Sequence, residues 1–105
     1  MERVFHFGKV DYLHDGNKTY DTAVEVWYDR RRRRKLSICG EISPVCSGAC
    51  LDIMAGYIQT PLFKTIHDLW KKYCRPYCWQ NCPPDFRQDI SEEDERTILA
   101  LLKGE

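Results

Sequence analysis

The chain reads as an α+β protein: a three-stranded antiparallel β-meander followed by three helices. Three observations carry this reading. Residues 4–12, 20–28 and 35–42 alternate between apolar and polar side chains, the period of a half-buried strand. From residue 49 onward the apolar spacing changes to the threes and fours of a helix. Strands come first and helices after, the order of an α+β fold rather than of a parallel sheet with crossovers.

Taken in order, Val4, His6, Val10 and Tyr12 share a face of the first strand, which makes His6 a hydrogen-bonded residue at the core edge. Asp15-Gly16-Asn17-Lys18 supplies residues that accept positive φ, so the first two strands form a hairpin, with His14 solvated at its turn. In the second strand Tyr20, Thr22, Val24, Val26 and Tyr28 fall on one face, and Asp21, Ala23, Glu25 and Trp27 on the other. The third strand groups Leu36, Ile38 and Ile42 and puts Cys39 opposite them. A first helix over 49–59 carries Leu51, Met54, Ala55 and Ile58, and Pro61 closes it and starts the next. The second helix, 62–73, has the stripe Leu62, Ile66, Leu69, Trp70 and Tyr73, with Met54 and Trp70 read as core. Residues 74–90 are irregular, broken by Pro76 and Pro83-Pro84. Ser91 caps a last helix whose first turn is acidic and whose apolar side is Ile98, Leu99, Leu101 and Leu102. The reading is one domain over 1–105, with the meander at 3–42 and a helical, cysteine-rich part at 46–105.

Composition sets limits. At 105 residues and 12.5 kDa there is room for one core. Hydrophobic residues at 43% exclude a disordered tail. No stretch approaches the roughly 18 consecutive apolar residues of a membrane span, so no membrane partner is expected. The N-terminus lacks a basic segment followed by an apolar run, so the expected location is the cytoplasm, where thiols stay reduced. Phosphate-loop, nucleophile-elbow, zinc-protease and dinucleotide motifs are absent from the sequence. A Cys39–His pair lacks any supporting context, and adjacent Glu92 and Glu93 diverge on a helix, so the expectation is no enzyme.

Six cysteines are several times ordinary usage. Cys46-Ser-Gly-Ala-Cys50 is C-x-x-x-C, and Cys74-Arg-Pro-Tyr-Cys78-Trp-Gln-Asn-Cys82 is a double one. A hairpin of the first two helices brings the start of one beside the end of the other. Cys46 and Cys50 then approach Cys74, Cys78 and Cys82. Four thiolates in a tetrahedron at about 2.3 Å make a structural Zn²⁺ site with no open coordination position. Cys46, Cys50, Cys74 and Cys78 are the first choice, with Cys82 able to replace Cys78 and His67 an outside candidate. Buried free thiols, disulfides or an iron–sulfur cluster are the other readings of the same residues.

Arg30-Arg31-Arg32-Arg33-Arg34-Lys35 places six consecutive positive charges at the tip of the second hairpin, with Trp27 and Tyr28 leading into it. A protruding basic loop beside aromatic side chains suits phosphate contact and base stacking, and equally an acidic groove on a protein. The opposite charge collects at the other end. Residues 85–105 hold seven acids and three bases, suited to mimic phosphates or to neutralise the arginine loop of a second copy. Zero net charge is therefore an average over two unlike regions.

Over roughly residues 4–73 the chain resembles small proteins encoded by phages and gut Firmicutes. In these an "LSI-x-G" strand, here Leu36-Ser37-Ile38-Cys39-Gly40, leads into a "G-x-C-x-D" helix start, here Gly48-Ala49-Cys50-Leu51-Asp52. The cysteine-rich stretch 74–82 departs from that pattern. The resemblance implies no catalytic activity and no site residues. It implies a mobile-element origin, and by analogy a short inhibitor of the anti-CRISPR kind acting in the host cytoplasm. The expected function is a non-enzymatic binding protein, an inhibitor of a host-defence (CRISPR) nuclease or of its nucleic-acid complex by surface occlusion. A zinc-stabilised nucleic-acid-binding module using the basic tip is the alternative.

Overall fold

The computed structural model describes residues 1–12, 18–31, 34–41, 50–76 and 89–104. Strands β1 (Glu2–Tyr12), β2 (Lys18–Asp29) and β3 (Lys35–Glu41) form an antiparallel sheet in the order β1-β2-β3. Helices α1 (Cys50–Ala55), α2 (Pro61–Tyr73) and α3 (Glu92–Lys103) follow. The α+β class and the meander stand as read. The hairpin residues Asp15, Gly16 and Asn17, together with His14, Ile42, Pro83 and Pro84, lie outside the described residues.

One face of the sheet is buried and carries the helices. Thr22, Val24, Val26 and Tyr28 of β2 and Leu36 and Ile38 of β3 line it, as their alternation requires. Cys39 lies on the other face and is exposed.

In β1 the expected face is reversed. Phe5 is 5% exposed, whereas Val4 is 44% exposed and His6 is exposed as well. The cause is a register shift between His6 and Gly8, where Gly8 takes φ +87°. An irregularity here moves every residue before it to the opposite face, so alternation counted back from Val10 gives the wrong parity. Phe7, at the irregularity, packs edge-on against Phe63 at 5.2 Å. Thr22 Oγ1 donates to the Gly8 carbonyl at 2.7 Å and satisfies a backbone group there.

Gly40 occupies the next core-facing position after Leu36 and Ile38. A β-carbon there would meet Leu51 Cδ1 and Met54 Sδ, each at 3.1 Å. The missing side chain lets α1 lie close on β3, with Leu51 and Met54 fully buried.

Helix α1 stops at Ala55, earlier than the apolar spacing suggests. Gly56 is a poor helix former, and the Tyr57 and Ile58 amides turn back onto the Met54 carbonyl at 2.9 and 2.8 Å. Thr60 then caps α2 by accepting from the Phe63 amide at 3.2 Å, with Pro61 in the first turn. The buried stripe of α2 is Phe63, Ile66, Leu69, Trp70 and Tyr73, while Leu62 is 42% exposed. Leu62 is in phase with Ile66, Leu69 and Tyr73 but lies in the first turn, and Phe63, three and seven residues before Ile66 and Trp70, is the residue that enters the core.

Ser91 caps α3 by accepting from the Asp94 amide at 3.2 Å, and Gly104 ends it in the left-handed region at φ 82°. Arg3 Nη1 donates to the Leu101 carbonyl at 2.8 Å, placing a cation at the negative end of α3. Ile98 and Leu101 complete the core, and Leu99 and Leu102 pack at its border.

Gly40→Val is expected to lower unfolding free energy by about 1–3 kcal/mol through overpacking against Leu51 and Met54. Chemical denaturation measures it, and an unchanged midpoint would mean that α1 does not depend on the close approach.

Candidate functional site at the arginine turn

The turn between β2 and β3 begins with a local device. Asp29 Oδ1 accepts from the Arg31 amide at 3.0 Å, so a side chain shapes the backbone as β2 ends. At the far side Arg34 has φ 46°, in the left-handed region that a branched or long side chain rarely takes. Something outside the turn has to hold it there.

That partner is α3. Arg34 Nη2 donates to Glu95 Oε2 at 2.8 Å and to the Ile90 carbonyl at 3.3 Å. Arg30 Nε lies 3.5 Å from Glu95 Oε1. Tyr28 Oη donates to Glu95 Oε2 at 2.8 Å. The hydrogen bonds from Tyr28 and Arg34 hold the Glu95 carboxyl below its usual range. Burial, together with the hydrogen bond to that carboxylate, pushes the Tyr28 phenol up.

The residue beside Glu95 makes a second tie. Asp94 Oδ2 accepts from Lys72 Nζ at 2.7 Å and from Tyr73 Oη. These bonds hold Asp94 low as well, Lys72 contributing most. Tyr73 Oη also accepts from the Ser91 amide at 3.4 Å. Two of the four acids of the first turn of α3 are thus used inside the chain, one toward the turn and one toward α2.

The residues expected at the partner surface divide accordingly. Tyr28 is 1% exposed and is corrected from contact residue to core residue: its alternation places it beside Val26. Trp27 is half-buried on the opposite face of the sheet. Arg30 and Arg34 are exposed, with side chains 68% and 48% accessible, but both are ion-paired to Glu95. Arg31 is exposed and Lys35 half-buried. Arg32 and Arg33 lie outside the described residues. The acidic segment reads in sequence as a capped surface helix, suited to mimic phosphates or to neutralise the arginine loop of a second copy. Glu95 instead neutralises the arginine turn of its own chain. No local signal marks Glu95 among its three acidic neighbours, because its partners are 61 and 67 residues away.

Of the expected zinc ligands, Cys74 has a described side chain. It is 4% exposed, belongs to the core cluster, and its Sγ donates to the Leu36 carbonyl at 3.6 Å. Cys46, Cys78 and Cys82 lie outside the described residues, as does the Cys50 side chain. Among the described residues no group of three or more His, Cys, Asp or Glu converges as a metal site would.

His67 belongs to a different cluster. Its Nε2 lies 2.9 Å from Asp52 Oδ1, and Arg75 Nη2 lies 2.8 Å from Asp52 Oδ2. Asp52 is therefore a shared anion that ties α1 to α2 and to the residue after its C-cap.

Among the described residues no helix is long and apolar enough to cross a membrane. Comparison with protein-family models, curated proteins and solved structures returns no match.

Glu95 and Asp94 carry folded-state pKa values below their ordinary 4.5 and 3.8. A depressed carboxylate stabilises the fold above its ordinary value, and that stability is lost as pH falls through the folded value. Melting temperature is therefore expected to fall as pH drops below about 4.5, with a shallower fall in Glu95→Gln. Parallel curves for the variant and the parent would remove Glu95 from this role.

Proposed function

We propose that this protein is a non-enzymatic binding protein that docks its arginine turn into an acidic groove on a partner protein. The observation that carries the reading is the anchoring of the turn. With Arg34 bound to Glu95 and Ile90, and Asp29 accepting from the Arg31 amide, both described flanks of the turn are held in place. Preorganisation lowers the ordering cost of docking. Arginine forks match carboxylates geometrically, and complementary charge speeds encounter.

An acidic protein groove fits better than a nucleic acid for two reasons. Base stacking needs exposed rings, and Tyr28 is in the core. Glu2 and Glu25 also sit together on the open sheet face beside Trp27, and their mutual hydrogen bond and repulsion raise the Glu25 carboxyl. Two acidic side chains disfavour a phosphate backbone there. A nuclease whose metal-binding site is built of carboxylates is a partner of suitable chemistry. Occlusion of such a site agrees with the inhibitor reading that the phage-protein resemblance implies.

Zinc belongs to the proposal as a clamp on the chain. With Cys74 read as a core thiol, Cys46 and Cys50 with Cys78 and Cys82 make two C-x-x-x-C pairs, the four thiolates of a closed site. Bound zinc would supply cross-linking between the sheet–helix junction and the cysteine-rich segment, and no chemistry of its own.

The triple variant Arg31→Ser, Arg32→Ser and Arg33→Ser keeps the Arg34 anchor. It is expected to retain the parent melting temperature and to lose partners that the parent captures from a host lysate. Capture of the same partners by both proteins would overturn the docking role. A parent that instead binds short duplex DNA, with affinity falling steeply in salt, would move the reading to the nucleic-acid module. For the clamp, protein purified without added metal is expected to hold about one zinc per chain. Cys74→Ala should keep that zinc and Cys78→Ser should lose it; loss from Cys74→Ala would return Cys74 to the ligand set.

A further inference from the structure

Where α1 gives way to α2 the surface holds a cavity of about 630 Å³. It belongs to the helical layer and shares no residue with the arginine turn. Its apolar lining includes Ile58, Pro61 and Phe63, and its polar lining includes Lys64, His67 and Lys71. The last three are spaced by three and four residues along α2, so they form one stripe on the helix.

Charge around this cavity is unevenly paired. Lys71 lies 3.4 Å from Asp68, which also lines the cavity. Among the described residues no carboxylate pairs with Lys64. Asp52, the acid behind His67, is already engaged by the imidazole and by Arg75. The His67 ring is further held in a stack, its centroid 5.8 Å from Phe63 and 5.6 Å from Trp70. The His67 ring is thus preset, and the polar wall carries more positive than negative charge. An apolar floor beside a few fixed polar groups is the composition of a small-molecule site.

We propose that this cavity binds a small carboxylate borne on an aromatic or branched apolar body. The apolar body packs on Ala55, Pro61 and the accessible edge of Ile58, and the carboxylate lies toward Lys64 and Lys71. Neither lysine holds the core together, since both are exposed. Their substitution therefore separates binding from folding.

The test is a titration of the full chain with hydrocinnamate, followed by amide chemical shifts in nuclear magnetic resonance. Shifts are expected at residues 55–71, with dissociation in the millimolar range. Hydrocinnamamide, which has the same body without the charge, is expected to bind at least about fivefold more weakly. The double variant Lys64→Gln and Lys71→Gln should lose a similar factor for the acid while its other resonances stay in place. Equal binding of acid and amide would overturn the assignment of the carboxylate. Shifts centred on Arg30, Arg31 and Lys35 would make the arginine turn the anion site instead. No shift at millimolar probe would overturn the site altogether.

Discussion

The Glu95 carboxylate is the contact on which the arrangement of this protein turns. One side chain on the first turn of α3 receives the Tyr28 phenol from the core, the Arg34 guanidinium from the β2–β3 turn, and the charge of Arg30. Each partner has its own need. The phenol is desolvated and requires an acceptor. The arginines repel one another and require a counter-charge. The left-handed backbone at Arg34 requires an external hold. A single anion meets all three, and in doing so it fixes where α3 lies against the sheet. Removing it would leave a buried hydroxyl unsatisfied as well as an unpaired turn.

The same economy governs the layers. Helices pack on one face of the sheet, and α1 approaches closely where Gly40 offers it no side chain. Arg3 ties β1 to the end of α3, Asp94 ties the start of α3 to α2, and Asp52 ties α1 to α2. The open face keeps Val4, Glu25 and Cys39 exposed. The arginine turn stands at the end of β2 and β3, joined to α3 yet outside the core. A fixed base with exposed guanidinium groups is what a docking element requires.

Much of this was legible residue by residue, and the failures have identifiable physics. The faces of β2 and β3 followed from a period of two. That period already put Tyr28 beside Val24 and Val26, and its neighbourhood to the arginine run was the poorer guide. In β1 the irregularity near Gly8 inverted the parity, so Phe5 rather than Val4 and His6 is buried. In α2 the stripe was real but began one residue late, at Phe63 instead of Leu62. The arginine run declared itself by composition alone. Glu95, which governs it, did not, since nothing in its local sequence separates it from Glu92, Glu93 and Asp94.

The sequence by itself determined the α+β order, the antiparallel meander, the start of α2 near Pro61, the helix cap at Ser91, and a concentrated positive charge between two strands. These depend on interactions within a few residues, which periodicity and side-chain type encode directly. The tertiary structure alone decided that α3 neutralises the turn of its own chain and that Cys74 serves the core. It also decided that His67 belongs with Asp52 and a cavity at the α1–α2 junction. These pairings span 15 to 67 residues of chain. Several side chains of the same chemistry compete for each, and only packing against the sheet selects among them.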